Sequence, residues 1–592
     1  MTSGAHMRSE IVVERFDSNR PAATFVLMLP LLLLAAGASL IGYSYRHEPG
    51  HRTHVALPDV RFADLGLPPW DLTVDNKTKD TGSANKGPDA ASLHAAHQKA
   101  RTYAEEYAKA RLAYDKGAFS DAVLHLDKAI AAEPDNSGAW ALRANANDEL
   151  GRTANALADF AQAISLAPDG HQVRNDRGIL LRRLGRYDAA LADFDVAIRL
   201  SPANAVYYYN RALVHDDAGR YELAIPDLDK AIELKADYID AYINRGHTYH
   251  QLGKFERAIA DHTRALGFDS GSVLALRNRG ISHNANGTFK AATADLTRAL
   301  ELNPRDVSSL AARSFAHIKL GQPHKGEADA SRAIAIDNRY VLAWQNRAEA
   351  RRALKKFRQA VADYSGAIAL AKSNAELYNG RGASYIDLEM PDKALEDFEK
   401  AIALAPEFAS AHFNSALVFV RKGDFKKARS HLDTALALAP DDTDGLKERA
   451  FVSERLGERQ AALADYDAYL AMVPGDATAH AMRCGVLIGL ERHQDAERSC
   501  HQALALDPVN VSATYNLSWI ALGRGDAKAA LILADKASQR DPKMALAVEL
   551  RARALEALGE KRGALADYRR ALALDPNLAA SRNGVRRLAG TE

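Results

Sequence analysis

The chain has 592 residues, and its 77 lysines and arginines nearly balance 76 aspartates and glutamates, for a formal net charge of +1. A charge this close to zero produces no global field that would favour nucleic acid or an anionic membrane surface. The sequence contains no glycine-rich phosphate loop, no metalloprotease His-Glu motif and no nucleophile elbow. It therefore predicts a protein that is not an enzyme, with no cofactor and no bound metal.

The first apolar segment follows a short N-terminal tail, residues 1–20. Residues 21–45 carry no charged side chain over 25 positions. As a helix they would span about 37 Å, enough for a hydrocarbon layer of about 30 Å. The segment is predicted to be one transmembrane helix that acts as a signal anchor. Two alternatives remain open: a signal peptide cleaved near Ala36-Gly37-Ala38, and a buried helix of a soluble protein.

The orientation of this helix is poorly encoded. Three arginines precede it and three follow it closely, so the positive-inside count is a tie. A short tail ahead of a first span most simply stays in the cytoplasm. We therefore predict a single-pass protein of a bacterial inner membrane whose remaining residues are periplasmic rather than cytoplasmic.

Residues 46–102 are predicted to be a mostly disordered linker. Prolines, glycines and polar residues punctuate this stretch, including Pro49, Pro58, Pro68, Pro69 and Pro88. Such a composition cannot bury a hydrophobic core. The linker would separate the membrane helix from the rest of the chain.

Residues 103–578 repeat with a period of 34 residues, fourteen times in succession. An alanine recurs at this spacing, and a glycine falls between the two apolar segments of many units. The recurring residues include Ala122, Ala156, Ala190, Ala224, Ala258 and Ala292, then Gly117, Gly151, Gly185, Gly219, Gly253 and Gly287, and the closing Pro134, Pro168 and Pro202. Apolar residues at helical spacing, a glycine that ends the first helix and a proline that ends the second predict a helix-turn-helix in each unit.

This pattern resembles the tetratricopeptide repeat. The matching positions are an early aromatic residue, a small residue four positions later, a Leu-Gly turn, the alanine, a later aromatic residue and the proline; examples are Trp140, Ala144, Leu184, Gly185, Phe194 and Pro202. The resemblance implies an all-α, right-handed solenoid of about 14 repeats. Residues 579–592 would form the capping helix. The resemblance also implies that the first helix of each unit lines a concave groove.

Asparagines recur at one position of the first helix and are candidate peptide-binding residues. They are Asn210, Asn244, Asn278, Asn346 and Asn414. A row of amides can both donate to and accept from the backbone of an extended peptide. The alternative is that each amide bonds the neighbouring unit, because a buried polar side chain must be satisfied in either case.

Arginines and aspartates form a second paired series. In ten units an arginine of the first helix is followed 16 residues later by an aspartate of the second helix. Three such pairs are Arg211 with Asp227, Arg245 with Asp261, and Arg279 with Asp295. The tenth and thirteenth units lack both members, which indicates structural ion pairs between the two helices. The alternative is a groove lined with arginines for an acidic ligand.

Both cysteines of the chain, Cys484 and Cys500, lie in the twelfth unit. They occupy the small position of the first helix and the aromatic position of the second, which should face each other. The joint loss of the usual residues indicates a disulfide, and this bond would need an oxidising compartment. Two buried thiols are the alternative, and a zinc site with His480 or His493 is disfavoured by the spacing.

The sequence thus predicts a non-catalytic scaffold, tethered to the membrane, that binds an extended segment of a protein partner in its groove. Two other functions stay open. The first is a cell-envelope assembly or polysaccharide-export scaffold that docks partners through its outer surfaces. The second is a regulatory subunit of an enzyme on another chain. The sequence does not encode the partner's identity or the oligomeric state.

Overall fold

A computed structural model describes residues 90–589 of the chain. This part contains twenty-nine helices and no strand, so the predicted all-α class is confirmed for it. Among these residues, no helix is both long enough and apolar enough to cross a membrane. The predicted transmembrane helix, residues 21–45, lies outside the described residues, as do the tail and residues 46–89 of the linker.

The helices belong to two compact units, of which the first covers residues 90–321 of the described part. Its helices are α1 (Ala90–Asp115), α2 (Phe119–Ala132), α3 (Ser137–Glu149), α4 (Thr153–Leu166), α5 (His171–Arg183), α6 (Tyr187–Leu200), α7 (Ala205–Asp217), α8 (Tyr221–Leu234), α9 (Ile239–Gln251), α10 (Phe255–Phe268), α11 (Val273–Ala285), α12 (Phe289–Leu302) and α13 (Val307–Lys319). Odd-numbered helices are the first helices of the sequence repeats, and even-numbered helices are the second.

The second unit covers residues 322–589 of the described part. Its helices are α14 (Pro323–Ile336), α15 (Val341–Ala353), α16 (Phe357–Leu370), α17 (Ala375–Asp387), α18 (Pro391–Leu404), α19 (Ala409–Lys422), α20 (Phe425–Leu438), α21 (Thr443–Leu456), α22 (Arg459–Met472), α23 (Ala477–Gly489), α24 (His493–Leu506), α25 (Val511–Gly523), α26 (Ala527–Arg540), α27 (Ala545–Ala557), α28 (Lys561–Leu574) and α29 (Ala579–Ala589). The last of these is the predicted capping helix, which packs on α28.

The hairpin of α9 and α10 illustrates how the sequence produces each unit. Gly253 follows α9 with φ of +70°, a left-handed conformation that side chains with a Cβ rarely adopt. Its N–H donates to the carbonyl of His250 at 2.9 Å, and the next N–H, of Lys254, reaches Tyr249 at 2.9 Å. These bonds satisfy the carbonyls at the end of the helix and reverse the chain. The recurring alanine of α10, Ala258, is fully buried, which lets the two helix axes approach closely.

Two features differ from the sequence expectation. The helix α1 begins at Ala90, so the prediction of a disordered linker is wrong for residues 90–102. This stretch is rich in alanine and lacks glycine and proline, and extending an already packed helix has little entropic cost. In addition, α8 contains Pro226 in its interior, where proline removes one helical hydrogen bond.

Candidate functional site

The predicted arginine–aspartate pairs are in contact. Arg211 donates to both carboxylate oxygens of Asp227, from Nε at 2.8 Å and from Nη2 at 2.6 Å. The same two-bond geometry joins Arg245 to Asp261 at 2.8 and 2.7 Å. The pair of Arg279 with Asp295 repeats it at 2.7 and 2.6 Å. Each contact ties the first helix of a unit to its own second helix by charge-assisted hydrogen bonds.

Most of these arginines have a second partner that the sequence reading missed. The Nη1 atom of Arg211 donates to Asp195 at 2.6 Å, in the second helix of the preceding unit. Equivalent contacts are Arg143 to Asp127, Arg245 to Asp229, Arg279 to Thr263, Arg381 to Ser365, Arg449 to Asp433 and Arg551 to Asp535. The hydrogen bonds of Asp227 and Asp195 raise the pKa of Arg211. The sequence contains a signal for this second contact. An acid or hydroxyl residue lies 16 positions before each of these arginines, just as an aspartate lies 16 positions after it.

These contacts make the arginines part of the stack. Each arginine with a second partner joins three helices, and the aspartate of its own unit is largely buried, with side chains 8% exposed at Asp227 and 9% at Asp261. A guanidinium with all its edges engaged offers little to an acidic ligand. The geometry therefore favours the structural interpretation over an arginine-lined groove.

The twelfth unit replaces this arrangement. Cys484 on α23 and Cys500 on α24 are bonded through their sulfurs at 2.13 Å, with their Cα atoms 5.4 Å apart. Both are fully buried among apolar neighbours. Ser499 stands where other units have the aspartate, so within residues 90–589 Arg483 keeps only its contact with Asp467 of the preceding unit, at 2.5 Å.

Most of the candidate asparagines bond the neighbouring unit. The amide of Asn210 donates to Asn175 on the preceding first helix at 2.8 Å. Asn244 donates to the hydroxyl of Tyr209 at 2.9 Å. In the second compact unit, residues 322–589, Asn414 donates to Asn379 at 2.9 Å. Asn346 on α15 is 6% exposed. These contacts favour the alternative in which the amide row holds adjacent first helices together.

Asn278 is different. It is 7% exposed, and its Nδ2 atom has no hydrogen-bond partner among the described residues. The acceptors of the equivalent amides lie 35 residues earlier in the chain, and that position is Ile243 for Asn278. An isoleucine side chain offers no acceptor. A buried donor without a partner costs about 1–3 kcal/mol of stability, which a hydrogen bond to this amide would recover.

We name the surface around these residues the first-helix face: the side of α5, α7, α9 and α11 that carries Asp176, Asn210, Asn244 and Asn278. These four residues follow one another at 34-residue spacing, so they occupy equivalent positions on successive first helices. Asp216, at the end of α7, lies at its edge, because Thr248 of α9 donates to it at 3.0 Å. The face combines amides, carboxylates and half-buried apolar residues such as Ile281.

A buried histidine lies beside this face. His262 on α10 has no exposed surface, and neither of its ring nitrogens has a hydrogen-bond partner among the described residues. Burial lowers its pKa to about 3, and that of the nearby His247 to about 4. Gly246 leaves room for the ring, since a Cβ there would lie 2.6 Å from His262 Cε1. The sequence reading missed this group, although a histidine at the aromatic position was visible.

Metal binding finds no support in the part of the chain that the structure covers. Within residues 90–589, no three histidine, cysteine, aspartate or glutamate residues are grouped closely enough to hold an ion. What the described surface offers is hydrogen-bond donors, acceptors and charge on stacked helices. Consecutive helical hairpins of this kind define the class of helical-repeat proteins.

Family models place the chain more narrowly. Models described as tetratricopeptide repeat match residues 107–171, 239–271, 375–408, 416–484, 486–545 and 547–578, and one described as TPR repeat matches residues 178–216 and 217–253. Together they cover more than half of the chain. The protein belongs to the tetratricopeptide repeat family, whose members are generally non-catalytic scaffolds for protein–protein interactions.

Solved structures with similar folds are distant in sequence. The APC/C hetero-tetramer Cut9-Hcn1 is 15% identical, with a TM-score of 0.41, and the match covers 78% of this chain and 99% of that one. A tetratricopeptide repeat protein from Parabacteroides merdae is 21% identical, with a TM-score of 0.37 and coverage of 42% and 98%. Yeast Tom70 is 18% identical, with a TM-score of 0.30 and coverage of 66% and 96%. No curated protein is significantly similar to the chain.

Proposed function

We propose that the protein is a membrane-tethered scaffold that holds an extended segment of a partner protein along the first-helix face. The observation that carries this proposal is the unpartnered amide of Asn278. An extended peptide presents a backbone carbonyl about every 3.3 Å, alternating in direction, so one carbonyl can reach a fixed donor without any particular side chain. Binding would complete a hydrogen bond that the free protein lacks.

The other asparagines have a supporting role in this proposal. Asn210 and Asn244 fix the spacing of α5, α7 and α9 through their contacts with the preceding helix. A rigid arrangement lowers the entropic cost of binding, because the face is already formed before the partner arrives. In the second compact unit, Asn346 and Asn414 are the candidate peptide-binding residues of the same series.

Tethering and location form a separate part of the proposal. Residues 21–45 would anchor the chain in a bacterial inner membrane, with the repeats in the periplasm. The bonded sulfurs of Cys484 and Cys500 support an oxidising compartment, where disulfides persist. To test this placement, cells are denatured without a reductant and the free thiols of the protein are alkylated and counted. Free thiols on both cysteines would contradict it.

A specific observation favours the second candidate function, docking through outer surfaces. The last residue of many second helices is a large apolar side chain that is exposed. These residues are Leu200, Phe268 and Leu302 in the first compact unit, and Leu370, Leu438, Met472, Leu506 and Leu574 in the second compact unit. Exposed apolar residues in a regular row can bind another protein.

Photo-crosslinking distinguishes the two candidates. A benzoylphenylalanine is introduced into the full-length protein at Ile281 on the first-helix face, at Leu302 at the end of α12, or at the exposed Glu222 of α8 as control. Our proposal predicts a partner adduct from Ile281 that is lost when Asn278 is changed to leucine. Adducts from Leu302 alone would favour outer docking. Equal labelling from Ile281 and Glu222 would contradict a specific face.

A further inference from the structure

Three histidines lie buried in the single hairpin formed by α9 and α10. His247 and His250 on α9 are each 8% exposed, and His262 on α10 has no exposed surface. We infer that these three residues, which we name the histidine cluster, are an acid-sensitive switch that opens this hairpin while neighbouring hairpins stay folded. The opening itself goes beyond the proposed function, and its consequence for a bound partner rests on that function.

The cluster is enclosed by α9, α10 and α11. Gly246 of α9 faces the ring of His262, and a Cβ at this glycine would lie 2.6 Å from the ring Cε1 atom. His250 Nδ1 lies 3.1 Å from the hydroxyl of Ser282 on α11, and its ring centroid lies 5.3 Å from that of Phe255. A charged imidazole would therefore have to give up its water to remain inside the closed hairpin.

Equivalent hairpins fill the position of His262 with apolar side chains. Phe194 of α6 faces a glycine of α5, and Leu296 of α12 faces a glycine of α11 in the same way. Neither ring nitrogen of His262 has a hydrogen-bond partner among the described residues, so a neutral imidazole packs here less favourably than phenylalanine or leucine. The histidine thus lowers stability at neutral pH, and what it adds is a group that binds a proton. This favours a response to acid.

Positive charges act on the cluster from within it and from α11. Each histidine of α9, once protonated, disfavours a proton on His262, and so does Arg279 of α11. His247 affects His250 in the same way. A proton bound by one member therefore makes the next proton harder to bind while the hairpin is closed.

The negative charges of the adjoining helices are engaged elsewhere. Asp261 of α10 and Asp229 of α8 both accept hydrogen bonds from Arg245. No carboxylate of the described residues acts electrostatically on His250 or His262. Protonation of these two rings is therefore uncompensated in the closed hairpin.

His247 is the member of the cluster nearest to an acid. Its Nε2 atom lies 3.7 Å from the carboxylate of Asp216 on α7, and Arg182 also acts on that carboxylate. An acid that approaches one ring leaves the other two without compensation. The switch therefore depends most strongly on the two rings that lie farther from it.

The direction of the response follows from the pKa values. Burial lowers the pKa of His247 and His250 to about 4, and that of His262 to about 3. The open hairpin therefore binds these protons more tightly than the closed one. Stability is complete above the unfolded pKa of about 6.5 and is lost as the pH falls from there towards 4. Between pH 7 and pH 5, each histidine shifts the equilibrium towards opening by about 20-fold.

Opening of this hairpin would interrupt the first-helix face. The helix α9 carries Asn244, which donates to Tyr209 of α7, and it contacts α11 through His250 and Ser282. Loss of α9 from the stack would separate α7 from α11 and remove the surface on which the bound segment lies. Acid would therefore release the partner.

Hydrogen exchange of the full-length protein at pH 7 and pH 5 measures the opening. It is expressed as protection relative to an unstructured chain, because intrinsic exchange also depends on pH. The hairpin of α5 and α6, which contains no buried histidine, is the internal reference. The triple variant uses the side chains found at equivalent positions of other units: His247→Ile, His250→Asn and His262→Phe. The matched control replaces two exposed histidines, His324→Asn and His501→Asn.

Between pH 7 and pH 5, we expect the protection of α9 and α10 to fall at least about 100-fold more than that of the reference, in the wild-type protein and in the control. In the triple variant the two hairpins should differ by less than about tenfold. His262→Phe alone should recover about 20-fold, which keeps the test decisive if the triple variant does not fold. An equal loss in both wild-type hairpins, or an unchanged loss in His262→Phe, would overturn the inference.

A second measurement separates the switch from the proposed function. Crosslinking from Ile281 is repeated on membranes that contain the full-length protein, at pH 7.5 and at pH 5. An adduct that is lost at pH 5 but retained there in the triple variant supports acid release. An adduct that persists at pH 5 while the hairpin opens would overturn the release. If no adduct forms at either pH, the proposed function is rejected, and the exchange data decide the switch separately.

Discussion

Replacing His262 by phenylalanine should stabilise the hairpin of α9 and α10 and remove part of its sensitivity to acid. The imidazole is fully buried and neither ring nitrogen has a partner among the described residues. Phenylalanine has a precedent at this position, because Phe194 faces Gly178 and Phe398 faces Gly382 as His262 faces Gly246. The larger apolar ring therefore fits a space that other units of the same chain already use for it.

The size of the effect follows from the pKa. The pKa of His262 is lowered from 6.5 to about 3 in the folded protein, so the unfolded chain binds this proton more tightly. Stability is then lost as the pH falls below 6.5, and the loss ends near pH 3. Between pH 7 and pH 5 this histidine removes about 2 kcal/mol. At neutral pH, removing a buried unsatisfied polar group adds about 2 kcal/mol of stability.

Hydrogen exchange measured by mass spectrometry is the suitable assay, because repeat proteins open locally and a single unfolding midpoint is ill-defined. Peptides from α10 should exchange about 30-fold more slowly at pH 7 in His262→Phe, as 2 kcal/mol implies at 1.4 kcal/mol per tenfold. The reverse change, Phe194→His, should accelerate exchange in α6 and make it acid-sensitive. Unchanged protection in both variants would show that the buried imidazole does not destabilise its hairpin.

Three further predictions concern stability. Pro226→Ala restores a hydrogen bond inside α8 and should raise local stability by about 3 kcal/mol, seen as slower exchange of that helix; faster exchange would contradict it. In a double-mutant cycle, Arg211→Ala and Asp227→Ala should each cost about 3 kcal/mol, and the double variant little more than either, whereas additive costs would exclude coupling. Reduction of the bond between Cys484 and Cys500, which closes a loop with a sequence separation of 16, should cost about 3 kcal/mol. Equal protease resistance of the reduced and oxidised protein would argue against this.

The sequence predicts contacts within one unit well, because the 34-residue spacing fixes the register of the two helices. The joint loss of arginine and aspartate in two units was enough to pair Arg245 with Asp261. Contacts between units were harder to predict, because they depend on which positions of adjacent helices face each other. The same arginine bonds Asp229 of the preceding unit, and that partner was not anticipated.

The asparagine row illustrates the same limit. Identical residues at identical positions suggested one shared role, yet their environments differ through the residue 35 positions earlier. Tyr209 satisfies Asn244, whereas Ile243 leaves Asn278 without an acceptor. Such differences become visible only when side chains of three helices are placed together.

A crystal structure of the protein with a segment of its captured partner would show directly whether a peptide lies on the first-helix face. We expect an extended chain across α7, α9 and α11, with one backbone carbonyl within hydrogen-bond distance of Asn278 Nδ2. A partner bound at the exposed ends of the second helices, with this amide still unpartnered, would contradict it.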